Sequence, residues 1–243
     1  TPTLTPTPLP ELSIGSSSVT EGDSGSQTMT FTVTLSVPAP GPISVQWATT
    51  DGTARGTPPN NDYVSAGGIV SFITGQQTQT LTVTILGDTT PEEDEELFVD
   101  LSNPVGATIA VGRGAGTIID DDPASVTLDT TAVDVLEGNT GTTPAPPLTV
   151  RLAAPAERDV VVYFTTVDGS AVAGAPNNDY VAATGIVTIL AGTTTADFEV
   201  DVRGDTLFEP DEAFTVELQP SPDVTLVGNT SATVNIRNDD MLS

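Results

Sequence analysis

The stretch LGDTTPEEDEEL, residues 86–97, holds six carboxylates and no basic residue. Like charges repel by about 1 kcal/mol per pair at ~4 Å in water, and by about 4 kcal/mol at an effective dielectric of ~20. Two interpretations are open at this point: a loop whose charges are solvated by water, or a site for a cation that the sequence does not supply. Carboxylate oxygens are hard ligands, so such a cation would be calcium or magnesium.

The residue types that are missing narrow the chemistry further. The chain has no Cys, no His and no Lys, and all six of its basic residues are Arg. Disulfides, thiolate metal sites, a Ser-His-Asp triad, most zinc and copper sites and Schiff-base chemistry are therefore excluded. Without a nucleophile–base pair, we predict that the protein is not an enzyme. Oxygen ligands remain abundant, and calcium suits a dense carboxylate set better than magnesium, which keeps its waters.

Length and charge restrict the partners. A chain of 243 residues that is 37% hydrophobic has room for two domains with real cores. The net charge of −27 argues against nucleic acid and against an anionic membrane surface as partner. No apolar run approaches the ~18 residues of a membrane span, so no membrane insertion is predicted. Residues 1–10, TPTLTPTPLP, are predicted to be a stiff Pro/Thr-rich linker, and we expect the remaining domains of a longer parent chain.

The chain contains a tandem repeat. TTDGTARGTPPNNDYVSAGGIVSF, residues 49–72, matches TTVDGSAVAGAPNNDYVAATGIVTI, residues 165–189. Asp51 and Asp168 are 117 residues apart, and so are Tyr63 and Tyr180. The acidic stretch returns at the same distance as RGDTLFEPDEAF. Self-similarity at a fixed period indicates homologous units, which we place at residues 11–122 and 124–240.

Within each repeat, hydrophobic and polar residues alternate. TMTFTVTLSV, residues 28–37, puts Met29 and every second residue up to Val37 on one face, and Trp47 alternates with Val45 and is expected in the core. Strict alternation is typical of a strand with one buried face, and turn residues separate the runs. The predicted fold is all-β: two tandem seven-stranded antiparallel β-sandwiches, immunoglobulin-like with Greek-key connections.

The acidic residues of the first repeat fall at the ends of predicted strands. In a sandwich the loops emerge at one end or the other, so strand parity can bring four acidic segments together. Eight carboxylates would then converge, enough for about two to four calcium ions that each take six to eight oxygens. These candidate ligands are Glu21, Asp51, Asp88, Glu92, Glu95, Asp120, Asp121 and Asp122.

The same residues also have ordinary structural explanations. PEEDEE suits a solvated loop, DDD suits a polar linker, and an Asp-Gly pair suits a hairpin turn. The repeat favours the metal interpretation, because Asp88, Glu92 and Glu95 keep acidic partners in the second repeat. Two neighbouring glutamates do not, since Pro210 and Ala213 stand in their places.

Asp62 and Asp179 belong to the repeated NNDY motif. Asn-Asn-Asp favours a turn, with Tyr63 or Tyr180 packed against the sheet edge. We therefore interpret both aspartates as turn residues rather than as ligands.

Taken together, these motifs resemble the Calx-β domain, a module of sodium–calcium exchangers, integrin β4 and bacterial surface proteins. The resemblance covers nearly the whole chain and rests on EG near the start, DGTA, NDYVSAGGIVSFITG, GDTTPEEDEELFVDLSNP and IIDDD in this order. It implies a seven-stranded β-sandwich whose loops at one end bind Ca²⁺ next to the C-terminal aspartates. In the first repeat it implies the eight ligands named above. In the second repeat the implied ligands are Glu137, Asp168, Asp205, Glu209, Glu212, Asp239 and Asp240.

The chain departs from the family pattern at three positions. Calcium-binding members often have a further Asp just before the position of Asp88, where this chain has Gly87 and, in the second repeat, Gly204. Asn238 stands where the first repeat has Asp120. The second repeat therefore has one carboxylate fewer, and we predict fewer or weaker calcium ions there.

Three hypotheses of function follow. The favoured one is a calcium-binding structural or interaction module of a larger extracellular or cell-surface protein, in which Ca²⁺ stiffens the loops and the junction between the domains. The second is a calcium sensor pair, which requires affinity near 10⁻⁶ M. The third is an adhesive module for a protein or glycan partner, although aromatic residues, 5% of the chain, offer no evident sugar platform.

Overall fold

The computed structural model describes residues 8–58, 61–175 and 178–241. Residues 1–7 of the predicted linker lie outside these ranges. The contacts divide the chain into two compact units, one of Thr1–Thr89 and Glu93–Asp121 and the other of Thr90–Glu92 and Asp122–Ser243. The boundaries drawn from the repeat, 11–122 and 124–240, stay predictions. In the described ranges, no helix is long and apolar enough to cross a membrane.

The first repeat is a sandwich of two sheets, with strand orders β6-β3-β1-β8 and β2-β9-β7-β4-β5. Its strands are β1 (Glu11–Ile14), β2 (Ser17–Thr20), β3 (Gly25–Leu35), β4 (Ile43–Asp51), β5 (Gly67–Phe72), β6 (Thr78–Gly87), β7 (Glu95–Val105), β8 (Thr108–Val111) and β9 (Arg113–Ile119).

The second repeat has the same architecture, with orders β16-β13-β10-β19 and β11-β20-β18-β14-β15 and a two-stranded pair, β12-β17. Its strands are β10 (Ala124–Leu128), β11 (Ala132–Leu136), β12 (Gly141–Pro144), β13 (Leu148–Leu152), β14 (Val160–Val167), β15 (Thr184–Ile189), β16 (Thr195–Phe198), β17 (Asp201–Gly204), β18 (Glu212–Gln219), β19 (Val224–Leu226) and β20 (Ser231–Arg237).

Each repeat has its own hydrophobic core, formed by the alternation of its strands. Met29, Phe31 and Val33 of β3 are buried, while Thr30 and Thr32 between them are exposed. Burying a side chain of this size stabilises the fold by roughly 1.5–3 kcal/mol relative to leaving it in water. The predicted all-β sandwich fold is confirmed.

Two burial predictions need correction. Val37 is 50% exposed, because β3 ends at Leu35 and the alternation no longer applies beyond it. Its assignment to the buried face is therefore wrong. Trp47 is only partly buried and packs against the core of the first repeat from its margin.

The strand segments outnumber the predicted seven strands because several strands are interrupted. β1 and β2 are separated by residues 15–16 and belong to different sheets. In the second repeat, β10 and β11 are likewise separated and belong to different sheets. In the second repeat, β12 and β13 together correspond to β3, and β16 and β17 together correspond to β6. β12 pairs with β17 and β13 pairs with β16, so both partners of this ladder are interrupted. Pro146 and Pro147 lie at this break, and proline has no N–H to donate to a ladder.

The strand register brings the acidic loops to one end of the first sandwich. Asp51 lies opposite Leu97, and Glu95 lies opposite Ile118. β2 and β9 run parallel and end side by side, which places Glu21 beside the beginning of the DDD segment. The same pairings recur in the second repeat, where β11 and β20 are the parallel partners.

A close backbone crossing fixes this end of each sandwich. A Cβ added at Gly204 would lie 2.1 Å from the carbonyl oxygen of Gly138 and 2.5 Å from that of Glu137. At Gly87 it would lie 2.0 Å from the carbonyl oxygen of Gly22. Only glycine fits there, which gives a physical reason why no aspartate precedes Asp88 or its counterpart in this chain.

We expect Gly204→Ala to destabilise the second repeat by about 1–3 kcal/mol, because backbone must move to admit the methyl group. The matched control is Gly174→Ala, where an added Cβ meets nothing within 4 Å. Urea unfolding of both variants measures the difference. Equal costs for the two substitutions would contradict the close crossing.

Candidate metal centre

Three carboxylates lie close together in the second repeat, just beyond the C-terminal ends of the paired strands β11 and β20. The nearest oxygens of Glu137, Asp239 and Asp240 lie within 4.8 Å of one another, and we call these residues the Glu137 cluster. Glu137 directly follows β11 and is only 6% exposed. The Gly138 N–H donates to Asp239 Oδ1 at 3.2 Å, and Asn139 Nδ2 donates to Asp240 Oδ1 at 2.8 Å. The local backbone and an amide thus hold both aspartates in place.

A second group, the Glu212 cluster, contains Asp179, Glu209 and Glu212, whose nearest oxygens also lie within 4.8 Å of one another. Asp179 is 8% exposed and accepts the Val172 N–H at 2.7 Å through Oδ2. Asn238 Nδ2 donates to the carbonyl oxygen of Glu209 at 2.7 Å. Glu212 is the first residue of β18 and Glu209 lies in the loop just before it, so this cluster joins two segments of the chain.

Burial raises the pKa of Glu137 to about 7, and the charges of Asp205, Glu209, Asp240 and Asp239 add to the rise in that order. All of these charges are anionic. An ionised Glu137 is therefore disfavoured at neutral pH by its surroundings, and a cation would reverse that cost.

Glu212 has the same electrostatic environment. Burial raises its pKa to about 7, followed by the charge and hydrogen bond of Asp179 and the charge of Glu209. Burial also raises the pKa of Glu209, with Asp179 and Asp205 contributing. The charge of Glu209 raises the pKa of both Glu137 and Glu212, so the two clusters interact electrostatically.

The chemistry of the clusters fits a calcium ion. Among the residues that the structure describes, Glu137 Oε1, Glu212 Oε2 and Asp240 Oδ2 are buried oxygens without a hydrogen-bond partner. A buried acceptor that lacks a donor costs about 1–3 kcal/mol, and more when it is charged. Calcium takes six to eight oxygen ligands and tolerates irregular geometry, so it suits a set of buried carboxylate oxygens such as these.

The first repeat presents two clusters of the same kind, each with its nearest oxygens within 4.8 Å: Glu21, Asp120 and Asp122, and Asp62, Glu92 and Glu95. Glu21 is 2% exposed and Asp122 is 7% exposed. The Gly22 N–H donates to Asp121 Oδ1 at 3.0 Å, which turns this predicted ligand toward the backbone.

Asp51 and Asp168, both predicted ligands, are held by tyrosines. The Tyr180 hydroxyl donates to Asp168 Oδ1 at 2.6 Å, and the Ala173 N–H donates to the same oxygen at 3.0 Å. Tyr63 binds Asp51 in the same way. These hydrogen bonds, the tyrosine's first, hold the pKa of Asp168 below its ordinary value. In the described part of the chain neither aspartate belongs to a three-carboxylate cluster, and their role as ligands stays a prediction.

Asp88 and Asp205 lie beside the clusters. Each follows the last residue of a strand, β6 or β17. The Leu207 N–H donates to Asp205 Oδ1 at 2.6 Å, a short local turn, while the charge of Asp205 raises the pKa of Glu137. Both aspartates are at the acidic end of their sandwich, and ligation by them stays a prediction.

The two repeats differ at Asn238, which replaces Asp120. Its Oδ1 accepts the Asp240 N–H at 2.9 Å while its Nδ2 binds the backbone of Glu209. Asn238 therefore braces both clusters without adding a charge, and Asp239 completes the Glu137 cluster instead. Weaker calcium binding by the second repeat stays a prediction.

The sequence reasoning did not select Asp62 and Asp179 as site residues. Asp62 does form a turn, since its Oδ2 accepts the Arg55 N–H at 2.6 Å. The structure nevertheless brings each aspartate together with two glutamates of the acidic loop. The repeat could have identified them, because Asp62 and Asp179 correspond to each other at the same spacing of 117 residues that relates Asp88, Glu92 and Glu95 to their partners.

We expect the metal-free protein to show a pH-dependent cost at Glu137. A carboxyl whose folded pKa of about 7 exceeds its unfolded value of 4.5 imposes no cost below pH ~4.5 and its full cost above pH ~7. The cost is at most about 3 kcal/mol. Glu137→Gln should therefore stabilise the metal-free protein relative to the parent, increasingly so from pH ~5 to pH ~8.

Urea unfolding of decalcified protein measures this difference. Glu199→Gln is the matched control, since Glu199 is exposed and its loss changes the net charge equally. A gain from Glu137→Gln that stays constant over this pH range would contradict the prediction.

We expect Tyr180→Phe to raise the pKa of Asp168 toward its ordinary value of 3.8, because the hydrogen bond that lowers it most is lost. A depressed carboxyl pKa stabilises the fold above the unfolded pKa and ceases to do so as pH falls through the folded value. The variant should thus lose stability at neutral pH and little in acid. NMR titration of the carboxyl groups measures the pKa of Asp168, and urea unfolding at neutral and at acidic pH measures the stability. Tyr163→Phe, at an exposed tyrosine, is the control. An unchanged Asp168 pKa would contradict it.

Comparison with known proteins places this geometry in a family. The sequence profile of the Calx-beta domain matches residues 13–122 and again 120–240. The crystal structure of CBD12 from CALX1.2 is 22% identical, covers 93% of this chain and 100% of its own, and has a TM-score of 0.43. The calcium binding domain CBD12 of CALX1.1 is 21% identical, with coverages of 92% and 98% and a TM-score of 0.42.

A single domain also matches: the apo-form Calx CBD1 domain is 27% identical over 47% of this chain and 99% of its own, with a TM-score of 0.40. The two profile matches together span nearly the whole chain and confirm the resemblance drawn from its motifs. The chain therefore belongs to the Calx-beta family and consists of two Calx-beta domains in tandem.

Proposed function

We propose that this chain is a pair of calcium-binding structural modules of a larger extracellular or cell-surface protein. In this proposal calcium ions bind the carboxylate clusters at one end of each sandwich, order the acidic loops and stiffen the junction after residues 120–122. Membership of the Calx-beta family supports the proposal.

The observation that carries it is the burial of Glu137. Glu137 is 6% exposed, one of its oxygens has no donor among the described residues, and burial followed by the charges of neighbouring carboxylates raises its pKa, so the protein itself compensates its charge poorly. Removing one partner from a buried charge pair typically costs 3–5 kcal/mol, so buried charges are normally paired. A divalent cation would supply such a partner.

In the second repeat, the Glu137 and Glu212 clusters would hold the ions. Calcium supplies positive charge and a coordination shell for oxygen. The protein supplies ionised carboxylates, which bind once Glu137 and Glu212 have released their protons. The Gly138 N–H, Asn139 and Asn238 keep the carboxylates and the backbone between them in position before any ion arrives. Such preorganisation lowers the entropic cost of binding.

The extracellular location is part of the same proposal. Outside cells calcium is abundant, and extracellular modules work with dissociation constants of about 10⁻⁴–10⁻³ M. The net charge of −27 keeps such a chain well solvated and concentrates cations around it. A sensor would need affinity near 10⁻⁶ M, so the measured affinity separates these two functions.

We expect calcium to stabilise the protein by about 2.7 kcal/mol at 100 times the dissociation constant. In the second repeat, Glu137→Gln should abolish most of this gain, because it removes the charge of the most buried carboxylate of its cluster. Glu199→Gln, with the same change in net charge, should keep the gain. Thermal melts of decalcified protein, with and without calcium, measure both.

Calorimetric titration after decalcification decides the proposal. Neither heat nor a melting shift at millimolar calcium would overturn calcium binding itself. A dissociation constant near 10⁻⁶ M would favour the sensor over the structural module. An equal calcium gain in Glu137→Gln and Glu199→Gln would show that the Glu137 cluster is not the site.

We also expect calcium to narrow the distribution of distances between the two domains, because Asp120 and Asp122 of one cluster directly precede Pro123 and strand β10. Small-angle scattering of the decalcified and calcium-loaded chain measures this. An unchanged distribution in protein that calorimetry shows to be loaded would refute the stiffening of the junction and leave calcium binding intact.

A further inference from the structure

An open cavity of about 570 Å³ lies on the second repeat, and no residue of the carboxylate clusters lines it. It is formed by β14, the edge strand β15 and the end of β18. Its lining residues are Tyr163, Phe164, Thr165, Thr184, Gly185, Ile186, Gln219 and Pro220. Cavities of ~300–1,000 Å³ are typical of ligand sites.

The register places an aromatic ring at the centre of this surface. Tyr163 lies directly opposite Ile186 on one side and Gln219 on the other, so the three side chains share the outward face. Tyr163 is 48% exposed and Ile186 is 59% exposed. Thr165 and Thr184, also opposite one another, add two hydroxyls beside the ring.

The inward face of the same strands packs into the core. Phe164 and Gly185 lie opposite one another on that face, and a Cβ at Gly185 would lie 2.8 Å from the Phe164 ring. Phe164 is buried and packs on Phe198, with 4.3 Å between the ring centroids. These core contacts support the strands beneath Tyr163, while the outward face carries hydroxyl and amide groups.

The equivalent surface of the first repeat is built differently. Gln46, the counterpart of Tyr163, lies opposite Ile69 and Ser102 in the same register. Its Oε1 accepts a hydrogen bond from Asn103 Nδ2 at 2.7 Å, so the two amides satisfy each other. In the second repeat Pro220 replaces this asparagine. At this register position the second repeat presents an aromatic ring where the first has a paired amide.

A long cation also covers the first-repeat sheet. Arg113 binds Asp100 at 2.7 Å and lies 4.7 Å from the Phe98 ring centroid. The residue that occupies the place of Arg113 in the second repeat is Ser231, which is too short to cover the sheet. The outward face of the second repeat is therefore less covered than its homologue, and Glu217 stands there opposite Ser231 where the first repeat has Asp100 bound to Arg113.

The charges point to one class of occupant. All of the lining residues are uncharged, in a chain with a net charge of −27. An anionic ligand or a second copy of this chain is repelled by that charge, and a cation finds no carboxylate in the lining. A wholly apolar ligand would bury the amide of Gln219 and the hydroxyl of Thr184 without offering either a hydrogen bond, at a cost for each group.

A pyranose ring matches both kinds of surface. The C–H groups of one sugar face carry partial positive charge and pack on the negative face of an aromatic ring. Sugar hydroxyls both donate and accept, as do the hydroxyls of Thr165 and Thr184 and the amide of Gln219. We propose that the cavity formed by β14, β15 and the end of β18 binds a neutral saccharide, with Tyr163 as the stacking platform.

This inference goes beyond the proposed calcium function and stands apart from it, because no carboxylate cluster residue lines the cavity. The test is a ¹H–¹⁵N NMR titration of the whole chain with maltohexaose, cellohexaose and chitohexaose, each to about 10 mM or to its solubility limit, which covers weak affinities. We expect at least one of them to shift amide signals of β14, β15 and the end of β18, in calcium and after decalcification alike.

The variants are matched by register. Tyr163→Ala, at an exposed position where truncation is tolerated, should weaken binding at least about tenfold. Gln46→Ala, at the equivalent position of the first repeat, should leave it unchanged. Gln219→Ala, which keeps the platform and removes the amide, should weaken binding by a smaller factor.

Four results would overturn the proposal. The first is the absence of shifts with all three oligosaccharides. The second is binding that Tyr163→Ala leaves intact. The third is a set of shifts at the same residues that depends on protein concentration alone, which would show self-association of this face. Binding that disappears on decalcification would also refute it, since it would assign the saccharide to the calcium loops.

Discussion

The repulsion between buried carboxylates dominates one end of each sandwich. Folding the sheets places Glu21 and Glu137 almost out of contact with water, beside other acidic side chains. Hydrophobic burial elsewhere in the cores offsets this cost, because two-sheet packing buries dozens of apolar side chains per repeat. The metal-free fold therefore carries a local electrostatic strain that its cores tolerate and that a cation would relieve.

Backbone pairing and hydrogen bonds at the acidic end hold these carboxylates in place despite their mutual repulsion. Parallel pairing of β11 with β20 sets Glu137 beside the C-terminal aspartates, and the backbone of Glu137 and Gly138 packs closely against Gly204. The Tyr180 hydroxyl orients Asp168, and Asn238 links two backbone segments across the clusters. Hydrogen bonds from neutral groups thus hold the carboxylates close together without neutralising their charge.

Much of this architecture could be predicted from the sequence. Alternation fixes which residues of β3 face the core, and the repeat identifies which carboxylates of the acidic loop are retained, such as Glu92 and Glu95. The role of Asp179 could not be predicted from turn propensity, because its cluster depends on how a turn packs against a distant strand. The hydrogen bonds from Tyr63 to Asp51 and from Tyr180 to Asp168 could not be predicted for the same reason, because each joins residues 12 apart across a loop. Where a strand stops, as β3 does before Val37, also depends on tertiary packing.

The parallel pairing of β2 with β9, and of β11 with β20, has a mechanical consequence. Force transmitted along the chain enters a parallel pair at opposite ends and pulls the two strands lengthwise past each other. The hydrogen bonds of such a ladder share the load and must break together, whereas a hairpin opens one bond at a time. The Glu137 cluster lies just beyond the C-terminal ends of β11 and β20, so a bound ion would link the two loaded strands reversibly in a chain that has no cysteine for a covalent link.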